Sequence, residues 1–411
     1  TTINLIKSLK PKFYVKGPDY KKNTDDITKN IYKEIDAVKR VGGKIHYTTT
    51  EVFSSSSLIN NFLVEENNVN KKFFSTIKRN TNFLEIEKKL DRLKKLTVLV
   101  IGDSIIDNYV FAEALNKSSK DSILNFKILK SEKYLGGALS VANTLSSFCK
   151  KVIVVTKLSC KNSENKFIIK NLKKNIELLY FNDEHSEIIN KTRVLDNYNN
   201  QKQIGLHKYP ENLNSRNDEE KILKLITKKI SYCDGIVLSD FGHGVITSKV
   251  IRLIKRAKKK ITANSQINST NIGFHSLQKF KNIHSLTMNY FELQHETRSY
   301  KGDINQLSAK LAKNLKIKKL FVTNGSSGSH LYNKLTNKYI FAPGIKSNII
   351  DRTGSGDTYY AFAALMNFVN ASDEECIFVA SLGAYFNLQN YANKKQVNFN
   401  ELKKTIFHIF K

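Results

Sequence analysis

The chain has 411 residues, 40% of them hydrophobic, enough for one large core and a smaller second unit, and no apolar run approaches the ~20 residues of a membrane span. Its formal charge of +30 comes from lysines spread along the whole chain, with no aromatic–basic stacking motif and no groove-reading helix. A specific nucleic-acid partner and a membrane are therefore not expected, whereas a basic surface can steer small anionic substrates.

Cys149, Cys160, Cys233 and Cys376 are scattered, without CxxC or zinc spacing, which fits a reduced, cytoplasmic setting. The N-terminus lacks the apolar stretch of a signal peptide. It begins with Thr1 and enters at once what reads as the middle of a domain, so an upstream half is expected.

Residues 1–62 read as helix, strand (KFYVKG), polar helix (25–41, closed by Gly42 and Gly43), strand (KIHYTTT) and a Ser-rich loop entering a helix. That is a βαβ alternation. Residues 63–96 read as a linker with helical segments, polar at first and then marked by Phe73, Ile77, Leu84, Leu90 and Leu93. From 97 to 411 apolar runs of strand length recur: TVLVIGD, KVIVVTKL, GIVLSD, KKITANS, NIHSLTMN and KLFVTNG. Helical segments such as 218–231, 247–258 and 304–315 separate most of them. The expected fold class is α/β, a mostly parallel sheet with helices on both faces. Residues 124–134 and 191–206 alternate like a half-exposed antiparallel sheet and are expected to form a small lid.

The strongest chemical signal is DRTGSGDTYYAFAAL at 351–365. Gly354, Ser355 and Gly356 form a turn that lets backbone N–H groups converge, and a small-residue helix follows. The helix N-terminus adds positive partial charge, so the turn can hold a phosphate. Asp357, in the first helical turn, can accept a proton from a hydroxyl. A capped helix after a glycine turn looks the same in isolation.

Further segments accompany it: IGDSIID (101–107), LGGALSVANTL (135–145), KTRVLDNYNNQKQIGLH (191–207), VLSDFGHGVIT (237–247), MNYFEL (288–293) and VTNGSSGSHLY (322–332). In this order they resemble the signatures of ribokinase-like (PfkB) carbohydrate kinases, and most closely the heptose-phosphate kinase of the ADP-heptose pathway. The resemblance implies transfer of a phosphoryl group from ATP, with Mg²⁺, to a sugar or sugar-phosphate hydroxyl. It makes Asp357 the catalytic base, beside the anion cradle of Gly354, Ser355 and Gly356. Asp103, Asp107, Gly136 and Gly137 would contact the sugar, and Lys191 and Arg193 a substrate phosphate. Thr323, Gly325 and Gly328 would meet ATP, with Asn289 and Glu292 arranging Mg²⁺ through its waters. Ser140 stands where the family usually has Asn, and His243 where it usually has Lys. A homodimer is one option for the assembly. The rival to an enzyme is a kinase-like fold that only binds.

LKPKFYVKGPDY (9–20) and FSSSSLIN (53–60) are similar to the second half of cytidylyltransferase-like nucleotidyltransferases. That resemblance assigns Lys16, Ser55, Ser56 and Ser57 to a residual nucleotide site. The H-x-G-H motif of that family is absent from the sequence, so no nucleotidyl transfer is expected from this block, and a bifunctional protein would need the motif upstream.

Overall fold

The structure, a computed structural model, describes residues 2–16, 30–47, 68–117, 123–182, 187–210, 216–268, 271–273, 275–345 and 349–411. It divides into two units, Thr1–Glu65 and Glu66–Lys411.

In the smaller unit, strand β1 (Phe13–Lys16) runs parallel to β2 (Lys44–Tyr47), and helix Asn30–Arg40 makes the crossover. Its core is Ile6, Ala37 and Val38, with Ile3, Tyr14, Val41 and Ile45 against them. The two glycines read as a helix stop act as one. Gly42 takes φ +80°, its N–H donates to Lys39 O at 3.1 Å, and Gly43 N–H donates to Val38 O at 3.0 Å. This bonding pattern satisfies the last carbonyls of a helix at the positions where a left-handed residue is needed.

The stretch 63–96, expected as a link, is from residue 68 on part of the larger unit. Helices Asn68–Asn80 and Phe83–Leu93 bury Ile77, Ile86, Leu90 and Leu93 almost completely. The Thr81 hydroxyl and Lys89 ammonium both donate to the Glu375 carboxylate, at 2.7 and 2.5 Å. Leu90→Ala is therefore expected to cost about 2–5 kcal/mol in urea unfolding, as a core cavity does. A surface-like loss of about 0.5 kcal/mol or less would make this segment a mere connector.

The larger unit is built on two sheets. Its strands in chain order are β3 (Thr97–Gly102), β4 (Ser104–Lys117), β5 (Leu124–Gly136), β6 (Lys151–Lys157), β7 (Ile176–Phe181), β8 (Ile189–Asp196) and β9 (Lys202–Lys208). Then follow β10 (Gly235–Asp240), β11 (Lys260–Ser265), β12 (Ser285–Asn289), β13 (Lys319–Thr323), β14 (Gly328–Asn333) and β15 (Lys338–Pro343). The main sheet has nine strands in the order β15-β14-β13-β12-β11-β10-β3-β6-β7, parallel from β13 to β7 and antiparallel across β13-β14-β15. Helices cover both faces, which is why β10 (GIVLSD) is buried at every position and reads as an unbroken run.

Helix Ser355–Phe368 is buried from Thr358 to Asn367, as its small apolar sequence requires. The Tyr360 hydroxyl on it donates to main-chain oxygens of β10 and β11, at 2.9 Å from Leu238 O and 2.8 Å from Thr262 O. Among the described residues no helix is long and apolar enough to cross a membrane.

The second sheet is the lid, in the order β5-β4-β8-β9. β5, β8 and β9 lie where the alternation predicts. β4, which that reading passed over, is its longest strand, at 14 residues. It pairs antiparallel with β5 and parallel with β8.

Candidate active site

In open α/β sheets a ligand crevice forms outside the carboxyl ends of the strands, where the strand order reverses. Here β3, β6 and β7 proceed one way and β10 to β13 the other, so the reversal falls between β3 and β10. Asp103 follows β3 at that point and is 2% exposed. Its carboxylate accepts the N–H groups of Phe241 at 2.8 Å, His243 at 3.4 Å and Val245 at 3.4 Å. It thereby pins the 241–245 loop at the floor of the crevice. Burial and the neighbouring Asp240 push its pKa up to about 6 against those bonds. Asp240 itself pairs with Lys279 at 2.7 Å and faces His275 at 3.3 Å.

β4 starts directly after Asp103, so the chain passes from the floor into the lid. Side chains two apart on a strand share a face. The register sets Asp107, Lys191 and His207 in one rank across β4, β8 and β9, and Tyr109, Arg193 and Gly205 in the next. Arg193 donates to Asp107 at 2.5 Å. A Cβ on Gly136 would run into the other Asp107 oxygen, and one on Gly137, at φ +57°, into the main-chain oxygen of Asp103. Those two glycines are thus wedged against Asp107 and Asp103.

Among the described residues Lys191 forms no ion pair; its ammonium lies 5.3 Å from the Phe241 ring centre. Burial lowers its pKa, and Asp107, Asp357 and Asp103 pull the other way. Residues named from three motifs therefore come together around Lys191.

The glycine turn is built from fixed points. Gly354 caps the helix in the left-handed region at φ +81°, where a Cβ would meet the Asn393 amide. Asn393 in turn donates to Leu135 O at 3.2 Å, which fixes the turn to the strand that delivers Gly136. Ser355 departs from the expected cradle: its hydroxyl donates to Arg352 O at 2.8 Å and its N–H faces the same oxygen at 3.4 Å. The free donors are further on. Among the described residues the N–H groups of Gly356 and Asp357 carry no hydrogen bond, and Gly356 has open space beside it.

The Asp357 carboxylate is half-buried and likewise without a hydrogen bond among the described residues. Burial and then Asp107 push its pKa up to about 7, with Lys191 opposing.

Asn289 and Thr323 are register partners at the ends of β12 and β13. Locally MNYFEL is a capped helix start: Asn289 accepts Glu292 N–H at 2.8 Å and Glu292 accepts Asn289 N–H at 2.7 Å, a reciprocal cap. Glu292 also accepts Ile267 N–H at 3.1 Å. Burial, with Asp357 adding to it, raises its pKa to about 7 despite these bonds. No group of three or more His, Cys, Asp and Glu able to hold a metal occurs among the described residues. Two carboxylates, of which Asp357 raises the pKa of Glu292, fit a hydrated divalent cation that takes its remaining oxygens from water and ligand. Gly325 and Gly328 lie in the left-handed region, at φ +54° and +111°. A Cβ would be blocked by β15 at Gly328, whereas Gly325 borders open space.

Several site residues were not singled out from sequence. His207 and Tyr109 enter only through strand register. Tyr209 stacks on His243 with ring centres 5.1 Å apart and an 18° tilt. Burial, and Lys191 next, push the His243 pKa down to about 4, so a neutral ring stands there near pH 7. Asp351, the first residue of the signature, is 5% exposed and accepts four donors: Tyr109 hydroxyl at 2.5 Å, Lys202 ammonium at 2.5 Å, and the N–H groups of Thr353 and Ala392 at 3.0 Å each. In the smaller unit, Lys16 pairs with Glu34 at 2.6 Å. Ser55, Ser56 and Ser57 lie outside the described residues.

A mostly parallel sheet with a β lid, and a lone carboxylate at a glycine-led helix start, make the architecture that the resemblance to carbohydrate kinases implies. The model of the pfkB family of carbohydrate kinases matches residues 95–394, and the chain belongs to that family. The chain is similar to the bifunctional protein HldE of Aliarcobacter butzleri, with 28% identity over 301 residues, 71% of this chain and 60% of that protein. With HldE of Helicobacter acinonychis it shares 29% identity over 279 residues, 65% of this chain and 57% of that one. It thus spans about three-fifths of the length of these curated relatives. The fold matches that of Arabidopsis thaliana ribokinase complexed with ribose and ATP, with TM-score 0.58 and 20% identity over 76% of this chain and 99% of that one. It also matches Escherichia coli phosphofructokinase-2 in complex with substrates and products, with TM-score 0.60 and 12% identity over 77% and 100%.

Proposed function

We propose that residues 97–411 transfer the γ-phosphoryl group of MgATP to a hydroxyl of a sugar phosphate, with a heptose 7-phosphate as the first candidate, in the supply of a nucleotide-activated sugar. The observation that carries this reading is the Asp357 carboxylate in the first turn of helix Ser355–Phe368, without a hydrogen bond among the described residues. It lies beside the N–H groups of Gly356 and Asp357, which carry no hydrogen bond among the described residues, and within the influence of Asp107 and Lys191. The similarity to HldE supports the choice of sugar.

In this reading Asp107 orients the acceptor sugar and Asp103 holds the loop beneath it. Asp357 takes the hydroxyl proton as the new O–P bond forms and the bond to the β-phosphate bridging oxygen breaks. The N–H groups of Gly356 and Asp357 donate to the charge that develops on the phosphoryl oxygens. Thr323 and the 325–328 turn hold ATP. Mg²⁺, held through water by Glu292 and Asn289, would neutralise phosphate charge. Lys191, free of an ion pair among the described residues, takes the phosphate that the substrate already carries, and the lid excludes water.

The test is ADP release with heptose 7-phosphate, unphosphorylated heptose, ribose and fructose 6-phosphate. Preference for a phosphorylated sugar is expected. Release with none of them removes the kinase reading, and equal use of heptose and its phosphate removes the role of Lys191. Lys191→Met is expected to raise KM for the phosphorylated sugar about 10- to 100-fold, the worth of one charge-assisted hydrogen bond, and to leave the unphosphorylated sugar unchanged.

The pH profile follows from the raised pKa of Asp357. A base must be ionised, and this one is protonated below about 7, so kcat/KM is expected to rise with pH through about 7 and level off above it. A profile flat from pH 6 to 8 would deny Asp357 that role.

The βαβ arrangement of the smaller unit supports, for residues 1–62, a relation to the nucleotidyltransferase fold; no transfer by that unit is proposed.

A further inference from the structure

Lys202 is the first residue of β9, the edge strand of the lid, and every residue of that strand is exposed. A lysine at such a position ordinarily points into water. Here its ammonium donates to Asp351 at 2.5 Å and to the Thr353 hydroxyl at 2.6 Å, and it lies 5.8 Å from the Tyr109 ring centre. The Asp351 side chain is 3% exposed, against 38% for Lys202. The lid edge therefore reaches over and places a charge on the residue that opens the glycine turn. A second lid residue, Tyr109 of β4, holds the other Asp351 oxygen. The same carboxylate accepts Thr353 N–H at 3.0 Å, so its position sets the backbone leading into Gly354. A shift of the register between Val194 and Leu195 brings Lys202 opposite Leu195. The bulge re-aims the strand end toward the turn.

We infer that Lys202 is a positioning residue for phosphoryl transfer, which bolts the lid edge to Asp351 and Thr353 and so aligns the 353–357 turn. This rests on the sugar-kinase reading. When the lid lies over the site, the ammonium completes the hydrogen bonding of Asp351, and the turn presents the Gly356 and Asp357 N–H groups and the Asp357 carboxylate together. When the lid lifts, Asp351 loses its one cationic partner among the described residues and the turn loosens. Transfer is thereby tied to a closed lid, and water is a poor acceptor while the lid is open.

The experiment compares wild type, Lys202→Met and Lys202→Arg as full chains. Hydrogen–deuterium exchange without ligand is expected to rise in Lys202→Met both at 202–208 and at 352–357, and to stay unchanged in β12. With the sugar that wild type uses, kcat should fall about tenfold, with KM for ATP within about twofold, because misalignment and not nucleotide binding is at stake. ATP hydrolysis without sugar should not rise, and Lys202→Arg should recover part of the loss. An exchange increase confined to 202–208, or an unchanged kcat in Lys202→Met, overturns the inference. If wild type phosphorylates no sugar, the kinase reading fails, while the exchange comparison still decides whether Lys202 couples lid to turn.

Discussion

Asp357→Asn is expected to abolish sugar phosphorylation while leaving ATP bound. Removing a positioned general base costs about 10²- to 10⁴-fold in rate, and this carboxylate makes no hydrogen bond among the described residues whose loss would disturb the turn. Calorimetry should give an ATP affinity within about twofold of wild type, since Asn retains the backbone donors of the helix start. The same variant should be more stable at alkaline pH. The native pKa of about 7 lies above the ordinary value of 3.8, so the folded state holds the proton more tightly than the unfolded one. The ionised carboxylate therefore disfavours folding increasingly as pH rises from about 4 to 7. A neutral Asn escapes that cost, and the gain in Tm over wild type should be absent near pH 4 and largest near pH 8. Equal turnover in the variant, or a Tm difference independent of pH, would mean that Asp357 does not occupy the charged position described.

Asp351→Ala is expected to have the largest effect on stability, about 3–5 kcal/mol in urea unfolding at pH 7. It leaves the Lys202 ammonium, the Tyr109 hydroxyl and the N–H groups of Thr353 and Ala392 without their acceptor, two of them from the lid and two from the segments flanking the site. Although burial acts to raise its pKa, the bonds to Lys202, Tyr109 and the backbone hold it below the usual carboxylate value. A depressed carboxylate stabilises the fold above its unfolded pKa and loses that contribution as pH falls through the native one. The wild-type advantage over Asp351→Asn should accordingly shrink below pH 4. Tyr109→Phe, which removes one donor and leaves three, should cost about 1–2 kcal/mol. A loss for Asp351→Ala no larger than that of Tyr109→Phe would show that the four donors find other partners.

The parts of this molecule visible from sequence share a property: each is decided within a few residues of itself. The main-sheet strands are buried on both faces, so runs such as GIVLSD have little choice but to be continuously apolar. The turn at Gly354 must be left-handed, and only the following residues make it a helix start. β4 was missed because its 14 residues serve two environments: Ile105 and Ile106 are buried where the strand leaves the floor, and Glu113 and Leu115 lie toward the open end of the lid. No single period describes it. Helices 68–93 read as a link in sequence because a polar face dominates each of them; their buried stripe is matched by residues some 290 positions away, as Thr81 and Lys89 meeting Glu375 attest.

The sequence alone determined the α/β class, because strand burial, turn conformation and helix capping are short-range properties of neighbouring side chains; the order of its motifs carried the resemblance to carbohydrate kinases and, through it, the expectation of a base at Asp357. Tertiary structure decided what each charge does. It turned Asp103 to a loop, Ser355 to its own turn, Glu292 to a cap and Lys202 to an aspartate 149 residues away, and among the described residues it left Asp357 without a hydrogen bond and Lys191 without an ion pair. Burial and cross-strand register make those assignments, and both arise only when distant parts of the chain are packed together.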